Sequence, residues 1–326
     1  MLKGRLIFVM GCKKGLRMTP RNIMGFAVLA LMTAAGSVGF ASAQGVQTAG
    51  ARVLEFNGVA GNIEVRTSRG AEFNVEIIPG KKMTAQVERD GVTLRIKGPL
   101  GVHNRNSCNN WGGGRTNVMT INGISYAPED LPRIIISGPD NMGLRIKSSL
   151  ISGTAGDVSG ATIEHNGCGS FTLGNVARDL EASIVSSGDF RSGNVGGRVE
   201  ANLAGSGDVT LGNIGQNLEL NVAGSGDTEV GQVEGKADIN VAGSGDVEVA
   251  SVSSQAEVNV AGSGNVNLRA GRSQLSANIA GSGDIRHGGT AVNPEVNIVG
   301  SGDVIVVRLE GQPQVTKLGS GSFRAN

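Results

Sequence analysis

At 326 residues, with 39% hydrophobic but only 3% aromatic side chains, the chain is long enough for an extensive core yet poor in the rings that usually fill one. Its 53 glycines point instead to a backbone of tight corners. The formal net charge is +1, but residues 44–326 carry 23 basic against 28 acidic side chains, and from Cys168 onward 10 against 17, so no basic field exists for nucleic-acid phosphates or an anionic membrane.

Residues 1–43 read as a targeting segment. Lys3, Arg5, Lys13, Lys14, Arg17 and Arg21 precede or begin an apolar run from Ile23 to Phe40, and Ala41-Ser42-Ala43 forms a small-residue cleavage site before Gln44. A cleaved secretory signal peptide is expected, with Met18 as a second candidate start. Thr33, Gly36, Ser37 and Gly39 interrupt the run, whereas a spanning helix needs about 20 uninterrupted apolar residues. No transmembrane segment is expected after cleavage.

Residues 44–150 form an N-terminal β region expected to start or cap a stack built by the C-terminal half. "RVLEFNGVAGNIEVRTS" and "AQVERDGVTLRIKG" alternate apolar and polar side chains, with Asp90-Gly91 as a turn signal. Residues 99–117, "PLGVHNRNSCNNWGGGRTN", break the alternation and read as a surface loop carrying Trp111. "YAPEDLPRIIISG" at 126–138 resumes a strand. Cys108 and Cys168 are the cysteines after the leader. An oxidising compartment would allow a disulfide between them, and Cys108, in an irregular segment, could equally stay free.

From 151 to 326 the chain repeats. Asp189, Asp208, Asp227, Asp246, Asn265, Asp284 and Asp303 stand nineteen residues apart, and nine glycines from Gly169 to Gly321 keep the same interval without a substitution. Within "GSGDVTLGNIGQNLELNVA" (205–223), Val209 and Leu211 form one alternating set and Leu218, Leu220 and Val222 another. Period-two alternation between glycines specifies strands. Two strands per nineteen-residue unit predict an all-β fold, a single-stranded parallel β-helix (β-solenoid) whose coils stack about 4.8 Å apart. Such a narrow coil has little room for rings. Nineteen residues cannot supply the four strands of a propeller blade, and separate hairpins would leave many edges open. Residues 50–326 can also be read as one continuous domain.

The recurrent GSGDV, the strands before it and Leu94-Arg95-Ile96 ahead of Gly98 resemble the head GIN domain family over about 50–326. The resemblance implies a bacterial exported β-helix protein of the kind described as auto-transporter adhesins, located in the periplasm, at the cell surface or outside the cell. It brings no defined receptor or site. The sequence ends in "SGSFRAN", so no C-terminal translocator barrel is expected within this polypeptide.

Parity assigns the faces. With Leu218, Leu220 and Val222 inward, Gly224, Gly226, Thr228 and Val230 also face in, and Asn221, Ala223, Ser225, Asp227 and Glu229 face out. Stacking then aligns Asn221, Asn240 and Asn259 in one row, Ser225, Ser244 and Ser263 in a second, and Asp227 and Asp246 in a third. These residues and Trp111 are the candidate binding residues. On the functional reading, the flat acidic face takes a glycan, a repeated polymer or a divalent cation, and Ca²⁺ would relieve the repulsion between stacked carboxylates. The scaffold reading is stronger. Asn stacks hydrogen-bond along a solenoid, Asp and Ser close turns, and Asn265 replaces an aspartate in mid-row. No cofactor and no metal site are expected.

Enzymatic chemistry is not expected either. The acids recur with the fold instead of clustering once. Trp111 and Tyr126 are the sole Trp and Tyr available to a sugar platform. His103, His165 and His287 are scattered, and His287 falls in the inward register of Leu211 and Val230. "HNRNSC" at 103–108 offers two soft ligands, short of a zinc site. The expected function is an exported, non-enzymatic, adhesin-like binding or structural module of the bacterial cell envelope, its partner an envelope or surface ligand, glycan or protein. The alternative is a polysaccharide-acting enzyme on a β-helix scaffold.

Overall fold

The computed structural model describes residues 48–101, 106–109, 118–167, 169–185 and 187–325. They build a parallel β-solenoid of about ten turns with coils of about nineteen residues, preceded by an irregular β region. One coil shows how the alternating sequence produces it. Val209–Leu211 makes a short side, Ile214 a single bridge, and Leu218–Val222 a longer side. Val209, Leu211, Ile214, Leu218, Leu220 and Val222 are all buried, each contributing about 1.5–3 kcal/mol by leaving water.

Each side then pairs in parallel with the same side of the next coil. Leu218–Val222 lies on Ala237–Val241, which lies on Ala256–Val260, always nineteen residues on. The early coils are roomier than the predicted narrow cross-section. Phe171 and Phe190 stack inside them with centroids 6.3 Å apart, in the column that Val209, Thr228 and Val247 occupy later.

The unbroken glycine column has a steric cause. At Gly207, Gly226, Gly245 and Gly264 an added Cβ would run into the carbonyl oxygen of the matching glycine one coil earlier. Backbone lies directly on backbone there, and no side chain fits between.

The N-terminal region stacks out of sequence order. Val53–Asn57 is sandwiched between Thr93–Lys97 and the first part of Gly143–Ala155, parallel to both. Ala60–Ser68 is likewise sandwiched between Arg133–Pro139 and the second part of Gly143–Ala155. The excursion from 69 to 142 thus supplies the layer beneath the first coil. Asn74–Ile78 and Gln86–Asp90 pair antiparallel at its outer edges. These antiparallel strands cover the parallel rungs and leave an edge less suited to further stacking. Leu54, Phe56, Leu94, Ile96, Ile134 and Ile136 carry the apolar core through the cap without a break.

The segment expected as a surface loop, 99–117, contains a strand. Asn106–Asn109 pairs antiparallel with Val118–Ile121, which pairs with Ile124–Tyr126. Met119 and Ile121 bury against Ala60, Leu131 and Leu150, so this small sheet is packed onto the solenoid. Cys108 sits in its first strand opposite Met119. Trp111 and Cys168 lie outside the described residues, and with them the proposed disulfide.

Adding one methyl group distinguishes glycines that the stack requires from those it does not. Gly245→Ala should lower stability by about 1–3 kcal/mol through overpacking. Gly160→Ala, where the nearest atom to a new Cβ is 3.6 Å away, should stay within about 0.5 kcal/mol. Urea melts of both variants check this.

Candidate functional site

The longer side of each coil places its even-parity residues outside. Asn202, Asn221, Asn240, Asn259, Asn278 and Asn297 fall on successive rungs. Each Nδ2 donates to the Oδ1 of the asparagine one coil earlier, at 2.9, 3.0, 2.8, 2.8 and 2.9 Å along the row. The candidates Asn221, Asn240 and Asn259 are therefore brought together and already joined to one another. Asn240 spends its second N–H on Asp238 Oδ1 at 3.2 Å. Every amide oxygen in the row keeps a lone pair for an external partner.

The aspartate row does something different. Asp227 Oδ1 accepts the backbone N–H of Asp246 at 3.0 Å, and Asp246 Oδ1 accepts that of Asn265 at 2.8 Å. Asn265 Oδ1 then accepts from Asp284 N at 2.9 Å. One side-chain oxygen at the right place is all this link requires, so an amide serves as well as a carboxylate. That explains the Asn265 exchange. At the two ends of the row the second carboxylate oxygen is paired, that of Asp189 with Arg191 at 3.7 Å and that of Asp303 with Arg324 at 3.4 Å, and among the described residues no three His, Cys, Asp or Glu side chains gather as metal ligands would. Ser225 is exposed, and Ser244 Oγ lies 3.3 Å from Ser263 Oγ.

Two rows escaped the sequence reading. Asp157, Asn175, Asn194 and Asn213 form a second ladder of side-chain oxygens, accepting the backbone N–H of the next coil at 2.7, 2.9, 2.9 and 2.9 Å. Its signal was the Gly-Asn pair at 174–175, 193–194 and 212–213. Glu181, Glu200, Glu219, Asp238 and Glu257 form an acid row on the same outward face as the asparagines. Lys236 Nζ answers part of its repulsion, 3.3 Å from Asp238 and 2.7 Å from Glu257. The hydrogen bond to Glu257 leads in raising the lysine pKa.

The two described histidines are core residues. His287 Nδ1 accepts Gly289 N–H at 3.1 Å, so its Nε2 carries the proton and faces Ser273 Oγ at 2.9 Å. His165 is fully buried; its Nε2–H donates to Gly169 O at 3.0 Å, and its Nδ1 has no partner. Burial pushes the His165 pKa down to about 4, the Gly169 bond opposing only weakly. His103 lies outside the described residues.

Two measurements separate scaffold from site. Asp227→Asn should keep stability within about 0.5 kcal/mol, and Asp227→Ala should lose about 1 kcal/mol with its hydrogen bond. Thermal melts with and without EDTA should coincide on the scaffold reading. A melt that collapses in Asp227→Asn or in EDTA would instead make the row a cation site.

The histidine effect has a defined sign. The unfolded His165 takes up a proton near pH 6.5 and the folded one near pH 4, so its contribution is complete above pH 6.5 and declines as pH falls through that window. Between pH 7 and pH 4, wild type should lose about 2–3 kcal/mol more than His165→Ile. Urea titrations at several pH values read the difference directly.

Comparison with known proteins places the chain in a family. A family model described as "Putative auto-transporter adhesin, head GIN domain" matches residues 55–251 and 250–326. Among solved structures, the chain is similar to a putative lipid binding protein from Parabacteroides distasonis. Identity there is 20% and TM-score 0.34, with 86% of this chain and 94% of that one covered. It is also similar to a putative cell adhesion protein from Clostridium sporogenes, at 11% identity and TM-score 0.20, covering 86% of this chain and 96% of that one. No curated protein matches the sequence. With the family match running from the cap strand at Glu55 through the last coil, the chain belongs to the head GIN domain family.

Proposed function

We propose that the protein is an exported, non-enzymatic binding module of the bacterial cell envelope, adhesin-like as its family is described. The supporting observation is the outward face of the longer strands. The asparagine row crosses six coils without interruption, with the acid row beside it. Small residues such as Ala204, Ser206, Ala223 and Ser225 line a shallow trough next to them. A face that repeats every rung suits a ligand contacted at many equivalent points, where weak contacts accumulate into avidity.

The scaffold bonds strengthen this reading rather than weaken it. A side chain held by its neighbours loses little freedom on binding, and rigid presentation lowers the cost of association. The partner is an envelope or surface ligand, glycan or protein, reached after removal of residues 1–43 as a secretory signal.

Retention on cells provides the test. Labelled purified protein added to intact bacteria lacking the gene should be held saturably and displaced by unlabelled protein. Deleting one whole coil, residues 228–246, leaves the register intact and should weaken retention severalfold; deleting two should weaken it further. Retention indifferent to coil number would reject the extended face, and none at all would reject the module. Fractionation should find the chain outside the cytoplasm, beginning at Gln44.

A further inference from the structure

A cleft of about 680 Å³ opens where the cap meets the regular coils. Arg52, Arg145, Arg178 and Arg198 line it, with Asp179, Glu181 and Glu200 among them. Gly143 and Gly160, partners on adjacent rungs, also line it. Unlike the glycines of the stacking column, these two are not demanded by packing or by backbone angle. An added Cβ would meet nothing nearer than 3.6 Å at either, and neither has positive φ. Their effect is to leave the outer surface of two successive rungs bare.

The charge in this cleft reverses that of the later coils. Among the described residues, no carboxylate lies within 4.0 Å of the guanidinium group of any of the four arginines, and Asp179 Oδ1 accepts the backbone N–H of Arg198 at 3.0 Å. Arg178 reaches Ser159 O at 3.3 Å and Ser159 Oγ at 3.4 Å. Glu55, the rung neighbour of Arg145, is held by Arg95 at 2.7 Å and by Lys147 at 3.8 Å. Burial would raise the Glu55 pKa, but the Arg95 bond and the charges of Arg95, Lys147 and Arg145 outweigh it and hold the group ionised.

We propose that this cleft binds an anionic oligosaccharide, its carboxylate or phosphate held by the arginines and its hydroxyls by Asp179, Glu181 and Glu200. Guanidinium groups match planar carboxylate and phosphate oxygens two at a time, and carboxylates accept from sugar hydroxyls. The volume falls within the roughly 300–1,000 Å³ of ligand sites. Arg198 and Glu200 also line a second hollow of about 230 Å³ with Asn217, Lys236 and Asp238. The cleft therefore continues along the stack, which fits a chain of sugars better than a single one. The proposal rests on the binding-module reading and gives its ligand a chemical class.

Calorimetric titration of the purified protein with trigalacturonate, sialyllactose and a mannose 6-phosphate trisaccharide, against neutral maltotriose, tests it and distinguishes carboxylate from phosphate. At least one anionic probe should bind saturably and about tenfold or more tighter than maltotriose. The double variant Arg145→Ala/Arg178→Ala should lose that binding by about tenfold or more. Gly160→Phe, which fills the floor, should abolish it with an unchanged melt, and Arg286→Ala on the shorter side should bind as wild type. If Gly160→Phe fails to fold, the arginine pair decides. No saturable binding by any anionic probe, equal binding of maltotriose, or binding that survives the arginine double variant would overturn the proposal. Cell retention undiminished in the double variant, together with loss of no probe, would remove the cleft while leaving the module reading in place.

Discussion

The structure depends on direct contact of backbone with backbone between coils. At the GSG corner, successive chains approach so closely that the carbonyl oxygen of one glycine occupies the space a Cβ would need on the next. Glycine is thus imposed at that point on each coil from Gly207 to Gly321, and once the corner is fixed the flanking strands can pair only at an offset of nineteen. The polar ladders follow from the same geometry. Each coil turns its corner with backbone N–H groups that no strand partner accepts, and a side-chain oxygen from the coil before completes them, as Asp227 does for Asp246.

This gives the outward residues two tasks. The asparagines hold adjacent coils together through both ends of the amide and the aspartates through Oδ1, and both rows still lie on the outer surface. Hydrogen bonding between coils and presentation to a ligand are therefore compatible, but the first is sufficient to account for the repetition. What repetition does not account for is the charge lining the cleft near the cap. Arg145 and Arg52 come from outside the regular repeat, and Arg178 and Arg198 from its first coils.

The solenoid was legible because inward parity and the glycine interval agree over nine coils, so that the alternation alone places Leu218, Leu220 and Val222 inside. His287 was legible in the same way, as an inward residue in the column of Leu211 and Val230. The cap was not. Val53–Asn57 pairs with Thr93–Lys97 and with Gly143–Lys147, segments with no shared phrase and no common spacing, so periodicity had nothing to measure. The strand Asn106–Asn109 was hidden among glycines and asparagines that signal a loop locally and that tertiary pairing overrides. The role of the aspartates needed geometry as well, since a carboxylate bonded to the next backbone N–H and one facing a cation have the same sequence. Gly143 and Gly160 were indistinguishable in composition from the glycines that packing demands.

The out-of-order cap has a consequence for how the chain acquires its structure. Val53–Asn57 emerges before both of its neighbours and cannot complete one edge until residue 97 has emerged or the other until residue 147 has. Every coil after that point finds its lower neighbour already made, a single coil earlier in the sequence. Assembly is then slow and nonlocal at the start and rapid and local afterwards, since distant pairings carry the larger loop-closure cost. For a polypeptide delivered from its N-terminus, the first segment across is thus the one that must wait, with both edges open, for a partner still to arrive.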